Sequence, residues 1–68
     1  MSITKCYLPG LSQARQDKGL SQQALGQALG VSRLTVLRWE NGQATPDIRT
    51  VTIISDLLGI SVADLLGL

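Results

Sequence analysis

The side chains able to do chemistry in this 68-residue chain are few, and most belong to binding rather than reaction. Arg33 and Arg38 carry guanidinium forks that match paired acceptors such as those of a base edge or a phosphate. Leu34 stands four residues before Arg38, so the two share one face if the segment is helical. Catalytic chemistry is poorly supplied. With no histidine and a single Cys6, His/Cys zinc sites and Ser-His-Asp or Cys-His arrangements are excluded. Asp17, Asp47, Asp56 and Asp64 are scattered, and Asp47 reads as a helix cap. No metal set, cofactor motif or phosphate loop is present, so the sequence does not read as an enzyme.

Composition narrows this further. One small domain fits the length, and a domain of this size buries about 60% of its unfolded surface. Six basic and five acidic residues leave a net charge of +1, which offers no strong field for a polyanion. The chain is 44% hydrophobic, and its mean hydropathy of +0.21 is high for so short a chain. No apolar run approaches the roughly 18 residues of a membrane span. Pro9, Gly10, Ser12 and Gln13 interrupt any N-terminal apolar stretch, so no signal peptide is expected. These features predict a cytoplasmic location, with Cys6 reduced.

The elements that must position Arg33 and Arg38 follow from punctuation and periodicity. Residues 1–8 read as an N-terminal extension, in which Ile3, Tyr7 and Leu8 can cover part of the core. Residues 9–68 read as one all-α domain of five short helices. The first helix is expected from Pro9, at its first turn, to Lys18, with Gly19 at positive φ beyond it. Ser21 caps the second, where Leu20, Ala24, Leu25, Ala28 and Leu29 recur at helical spacing. Gly26 inside it makes sense where another helix crosses closely. Gly30-Val31 is the whole turn before Ser32 caps the third helix, which puts Val36 and Trp39 on an inner face. Asn41-Gly42 ends it. Thr50-Val51-Thr52-Ile53-Ile54 reads locally as a strand. The stripe Ile48, Val51, Ile54, Leu58 predicts a helix instead, started by Thr45 and Pro46 or by Asp47. Gly59 closes it, and Ser61 caps a last helix bearing Val62, Leu65 and Leu66.

Two helices joined by so short a turn must cross steeply. The second then projects a mixed polar and apolar face outward, as in a helix-turn-helix. The strings Leu20-Ser21-Gln22-Gln23-Ala24-Leu25-Gly26, Leu29-Gly30-Val31-Ser32 and Trp39-Glu40-Asn41-Gly42, with Pro46, resemble the helix-turn-helix family of lambda-type phage repressors and Cro proteins. The same XRE-like five-helix domain occurs in restriction-modification controllers and antitoxins. The resemblance runs from about Leu11 to Leu66.

It implies a lambda-repressor-like fold and sequence-specific binding of a double-stranded DNA operator. By position, Gln22 matches a glutamine that touches phosphate and braces the recognition helix. Ser32, Arg33, Leu34, Thr35 and Arg38 match exposed recognition positions, where arginine can bond guanine and leucine can meet a thymine methyl. Asn41 matches a phosphate contact. Arg15 and Glu40 match a structural pair between the first and third helices. Departures from the pattern are Ala24, where relatives often carry an acid, and the uncharged loop Gln43-Ala44-Thr45. Leu37 and Ile53 stand where relatives carry polar residues.

Surplus apolar residues shape the remaining expectations. Leu37, Ile53, Ile60, Val62 and Leu68 exceed what one small core needs. A homodimer through Ile53, Ile60, Val62, Leu66 and Leu68 would set two recognition helices about one DNA turn, roughly 34 Å, apart on a palindrome. The expected function is a transcriptional regulator, a repressor by steric occlusion. Two other readings use the same residues. One is an antitoxin whose surplus apolar surface binds a toxin. The other is a protein-interaction module without DNA binding. A domain of a longer repressor is also compatible with the chain.

Overall fold

The computed structural model describes residues 7–68. Among them are α1 (Leu11–Asp17), α2 (Gln22–Leu29), α3 (Arg33–Asn41), α4 (Ile48–Leu58) and α5 (Val62–Leu66), with no strand. The β-branched run of α4 is helical. Val51, Ile54 and Leu58 are buried on one face of it, and no neighbouring strand exists among the described residues to pair with.

Local chemistry sets four of the five starts. Ser21, Ser32, Asp47 and Ser61 each accept a hydrogen bond from the backbone N–H three residues on. Each bond satisfies a donor that the first helical turn leaves open. Of the two start signals before α4, Asp47 is the cap, and Pro46 is buried just ahead of it. Gly30, Gly42, Gly59 and Gly67 close their helices in the left-handed region, which costs a side-chain-bearing residue roughly 1–2 kcal/mol.

The first helix differs from its expectation. It begins at Leu11, not Pro9, and its cap is Gly10, which has no side chain to offer. Gly10 N–H donates instead to Leu65 O at 3.1 Å. A Cβ at Gly10 would lie 2.3 Å from Asp64 O. A contact at the far end of the chain, not the proline, therefore decides where α1 starts. Lys18 is its C-cap, and Gly19 follows at φ +74°.

The core gathers Leu8, Leu11, Ala14, Leu25, Val36, Trp39, Val51, Ile54, Leu58 and Leu65, so every helix contributes. Leu8 is 1% exposed and integral to it, whereas Tyr7 remains 56% exposed. Ile3 and Cys6 lie outside the described residues. Of the α2 pattern, Leu25 is buried and Leu20 and Leu29 are partly so, but Ala28 faces solvent. Ile48 also leaves its expected stripe and is 58% exposed. It is the first residue after the Asp47 cap, and the face carrying Val51 and Ile54 turns inward without it. No helix among the described residues is long and apolar enough to cross a membrane.

Candidate nucleic-acid interface

The outward face of α3 is set by what its inner face buries. Val36 is fully enclosed and Trp39 nearly so, and both belong to the shared core. With those two fixed, the 100° step of the helix turns Arg33, Leu34 and Arg38 to solvent, and all three are accessible there. Leu34 is 45% exposed, which is unusual company for two arginines. Among the described residues neither arginine makes a salt bridge. Ser32 and Thr35 are occupied with starting the helix: Thr35 N–H donates to Ser32 Oγ at 3.2 Å, and the two hydroxyls are 3.0 Å apart.

The turn before α3 depends on Gly26. Its carbonyl accepts from Val31 N–H at 2.8 Å, which reverses the chain. A Cβ at Gly26 would stand 2.7 Å from Val31 O and 3.3 Å from Ser32 C. The expected close approach is present, but it is the turn backbone, rather than a crossing helix, that presses on the glycine. This contact holds the C-terminal half of α2 close against the start of α3.

Glu40 points inward on α3 and joins three helices. Arg15 Nε donates to Glu40 Oε2 at 2.7 Å, and Arg15 Nη2 to Oε1 at 3.4 Å. Gln22 Nε2 donates to the same Oε1 at 3.0 Å. Arg15 Nη1 completes the set on Leu20 O at 2.7 Å. The side chains of Arg15 and Glu40 are only 11% and 7% exposed. At such burial the pair demands its hydrogen bonds, and loss of one partner leaves a charge with nothing opposite it. The network ties the start of α2 to the end of α3, so Gln22 cannot shift without α3. The amide of Gln22 retains a second N–H beyond the one used on Glu40.

Past Glu40, Asn41 is exposed and Gly42 turns the chain at φ +77°. Gln43 and Ala44 N–H both return to Arg38 O. The structure thus assembles Gln22, Ser32, Arg33, Leu34, Thr35, Arg38 and Asn41 along one helix-turn-helix. Gln22 contacts Glu40 directly, which gives a partner atom on α3 to the bracing role that the resemblance implies.

The expected dimer residues are not brought into one class. Ile53 is 51% and Leu68 89% exposed, but Ile60, Val62 and Leu66 pack in part against the chain's own core. Ile48 and Leu57 add exposed apolar surface on α4 that the expected dimer set does not include. Leu57 could have been found from its place off the Val51, Ile54, Leu58 stripe, whereas Ile48 lies at the end of that stripe and could not.

Comparison with known proteins agrees with this geometry. A family model described as helix-turn-helix matches residues 11–65. The SPbeta prophage-derived uncharacterized HTH-type transcriptional regulator YonR of Bacillus subtilis is 41% identical over 56 residues, covering 82% of this chain and 52% of that one. The HTH-type transcriptional activator BcrR of Enterococcus faecalis is 34% identical over 57 residues, covering 84% of this chain and 28% of that one. The chain therefore spans about half of the first relative and under a third of the second. The P22 c2 repressor, solved in complex with a synthetic operator, superposes with a TM-score of 0.75 at 28% identity, over 85% of this chain and 91% of that one. None of these proteins is named as an enzyme. Matched over most of its length and sharing the five-helix repressor fold, the chain belongs to the helix-turn-helix family of lambda-type phage repressors and their XRE-like relatives.

Proposed function

We propose that this protein is a sequence-specific DNA-binding regulator of transcription that reads the major groove with α3. The observation that carries the reading is the solvent-facing Arg33, Leu34, Arg38 surface, whose rotation is pinned by buried Val36 and Trp39. On this reading the two arginines take guanine O6 and N7, and Leu34 takes a thymine methyl. Gln22 and Asn41 hold phosphates and set the docking register without reading sequence. The solved operator complex of the similar P22 c2 repressor supports DNA as the partner.

The protein acts as a homodimer on a palindromic operator, and it represses by occluding the promoter. Ile53 and Leu68 supply the most exposed apolar part of the dimer surface, and the partly buried Ile60, Val62 and Leu66 supply the rest. The relative named as an activator favours a second output from the same bound site, contact with polymerase.

Net charge fits a particular binding style. A chain at +1 neutralises few phosphates, and log affinity falls with log salt by about 0.9 per phosphate neutralised. Binding should therefore be only shallowly salt-dependent and weak on unrelated DNA. Selection of bound sites from random duplexes at two salt concentrations tests all of this. Inverted repeats with half-sites about one turn apart are expected. Absence of any enriched sequence would overturn the reading. Sedimentation at high micromolar concentration, with and without the selected site, tests the dimer; a monomer in both conditions removes it.

A further inference from the structure

We propose that Tyr7 is a further DNA-contacting residue, whose hydroxyl anchors a backbone phosphate at the C-terminal end of α3. The proposal rests on the DNA-binding function just proposed and adds a contact that neither the sequence pattern nor the family match assigns.

Three observations converge. A Cβ placed on Gly42 would lie 3.3 Å from Tyr7 Cε1 and 3.6 Å from its Cδ1. One edge of the phenol ring is therefore seated on the bare Cα of the residue that ends α3. Cε1 is bonded to the carbon bearing the hydroxyl, so the hydroxyl is held beside that helix end. Next, Tyr7 is 56% exposed although its neighbour Leu8 is 1% exposed. The chain is thus anchored in the core at Leu8 while Tyr7 stays open to solvent. Lastly, the segment after Gly42 is Gln43-Ala44-Thr45, with no basic side chain.

The geometry of groove docking connects these facts. The N-terminal part of a recognition helix meets base edges, which leaves its far end toward the sugar-phosphate wall. Tyrosine is among the neutral donors that hold phosphates in protein–DNA interfaces. A ring already seated on Gly42 loses little freedom when its hydroxyl donates, so the contact is preorganised. It replaces the cation this loop lacks, and it does so without adding charge. That matches a protein whose net charge stays near zero.

A neutral anchor has a signature that a lysine or arginine does not. Removing it weakens binding to every sequence alike but releases no fewer counterions, so the salt slope is unchanged. The test is Tyr7→Phe, titrated against the selected operator and an unrelated duplex at two salt concentrations. Both affinities should fall by about tenfold, the scale of one hydrogen bond to a charged acceptor, with parallel salt slopes. A methylphosphonate scan of the operator should find one position where wild type and variant bind equally. Wild-type affinity in Tyr7→Phe would show that the ring only covers Gly42 and would overturn the proposal alone. Failure of the unaltered protein to bind any DNA would remove the DNA-binding reading and Tyr7's role with it. Tyr7 is the single tyrosine, so 3-fluorotyrosine gives a check that needs no substitution. Its fluorine resonance should shift on adding operator, and a resonance that stays in place overturns the proposal.

Discussion

The protein makes the same turn three times; Gly19-Leu20-Ser21 joins α1 to α2 in this way, with Gly19 at φ +74°, Leu20 N–H returning to Arg15 O and Ser21 as the cap, and the other two bear comparison. Leu29-Gly30-Val31-Ser32 joins α2 to α3, and Leu58-Gly59-Ile60-Ser61 joins α4 to α5. In both, glycine adopts a left-handed φ, +74° and +68°, and serine caps the next helix. Val31 N–H returns to Gly26 O, and Ile60 N–H returns to Ser55 O. The turns part company at those two acceptors. Gly26 has no side chain, and Val31 O sits where its Cβ would be. Ser55 has one, and its hydroxyl donates to Ile60 O. Close backbone contact holds the first corner, and a side-chain hydrogen bond holds the second. The helices that leave the two corners differ too. α3 is nine residues long and presents an outward face, whereas α5 is five residues long and buries Leu65 in the core. A shared turn does not make a shared function; the length and outward chemistry of the next helix do.

The largest test of this contrast removes the polar network that ties α1 and α2 to α3, which has no counterpart between α4 and α5 among the described residues. Glu40→Ala strands Arg15 and Gln22 together and should destabilise the fold by about 3 kcal/mol. Ser55→Ala, at the second corner, should cost about 1 kcal/mol. Urea midpoints at pH 7 compare the two, and equal losses would mean that the network around Glu40 is no special anchor. Next in size is the turn backbone. Gly26→Ala drives a Cβ to 2.7 Å from Val31 O. It should cost about 1–2 kcal/mol net, after the gain of about 1 in helix propensity. Ser55 shows that a side chain fits the equivalent place, so Ser55→Gly should lose no more than its hydrogen bond and propensity.

A third test separates the two outward faces. Arg38→Ala should weaken operator binding by about 1–3 kcal/mol and relax one base position, leaving the thermal midpoint in place. A uniform loss across sequences would move Arg38 to the phosphate contacts. Ile53→Arg should instead lower self-association without altering folding, since the residue is already half exposed.

The smallest effect concerns caps. Among the side-chain caps, that of α4 alone is an acid. The Thr50 backbone N–H on its carboxylate, followed by the Thr50 side chain, holds Asp47 below the ordinary 3.8. A lowered folded-state pKa means the cap contributes stability above the unfolded value. That contribution is lost as pH falls from about 4 through the folded value. Asp47→Asn keeps an acceptor but cannot titrate, so its stability should fall less between pH 5 and 2. An unchanged acid profile would mean that other carboxylates carry the dependence.

Legibility followed the range of the interaction. The four side-chain caps and the glycine stops could be read from the chain because each is satisfied within a few residues. Helix over strand in α4 was legible from Val51, Ile54 and Leu58, whose spacing suits only one of the two periods. The candidate site was legible as a set of outward positions on α3, since Val36 and Trp39 mark its inner face, with Gln22 added by the resemblance. The start of α1 was not, because Gly10 answers to Leu65, far along the chain. Nor was Ile48's exposure, since a stripe does not say which of its ends the core covers.

By itself, then, the sequence determined the five helices, the three tight turns and the polar-plus-leucine composition of the outward face of α3. These rest on short hydrogen bonds and on periodicity, which the order of residues specifies directly. Only the tertiary structure decided the rest. It closed the implied Arg15–Glu40 pair to 2.7 Å and put the Gln22 amide on the same carboxylate, left Ile53 and Leu68 outside while drawing Ile60, Val62 and Leu66 toward the core, and set Tyr7 on Gly42. Those choices come from how the elements pack around one small core, where the position of each side chain depends on all the others at once.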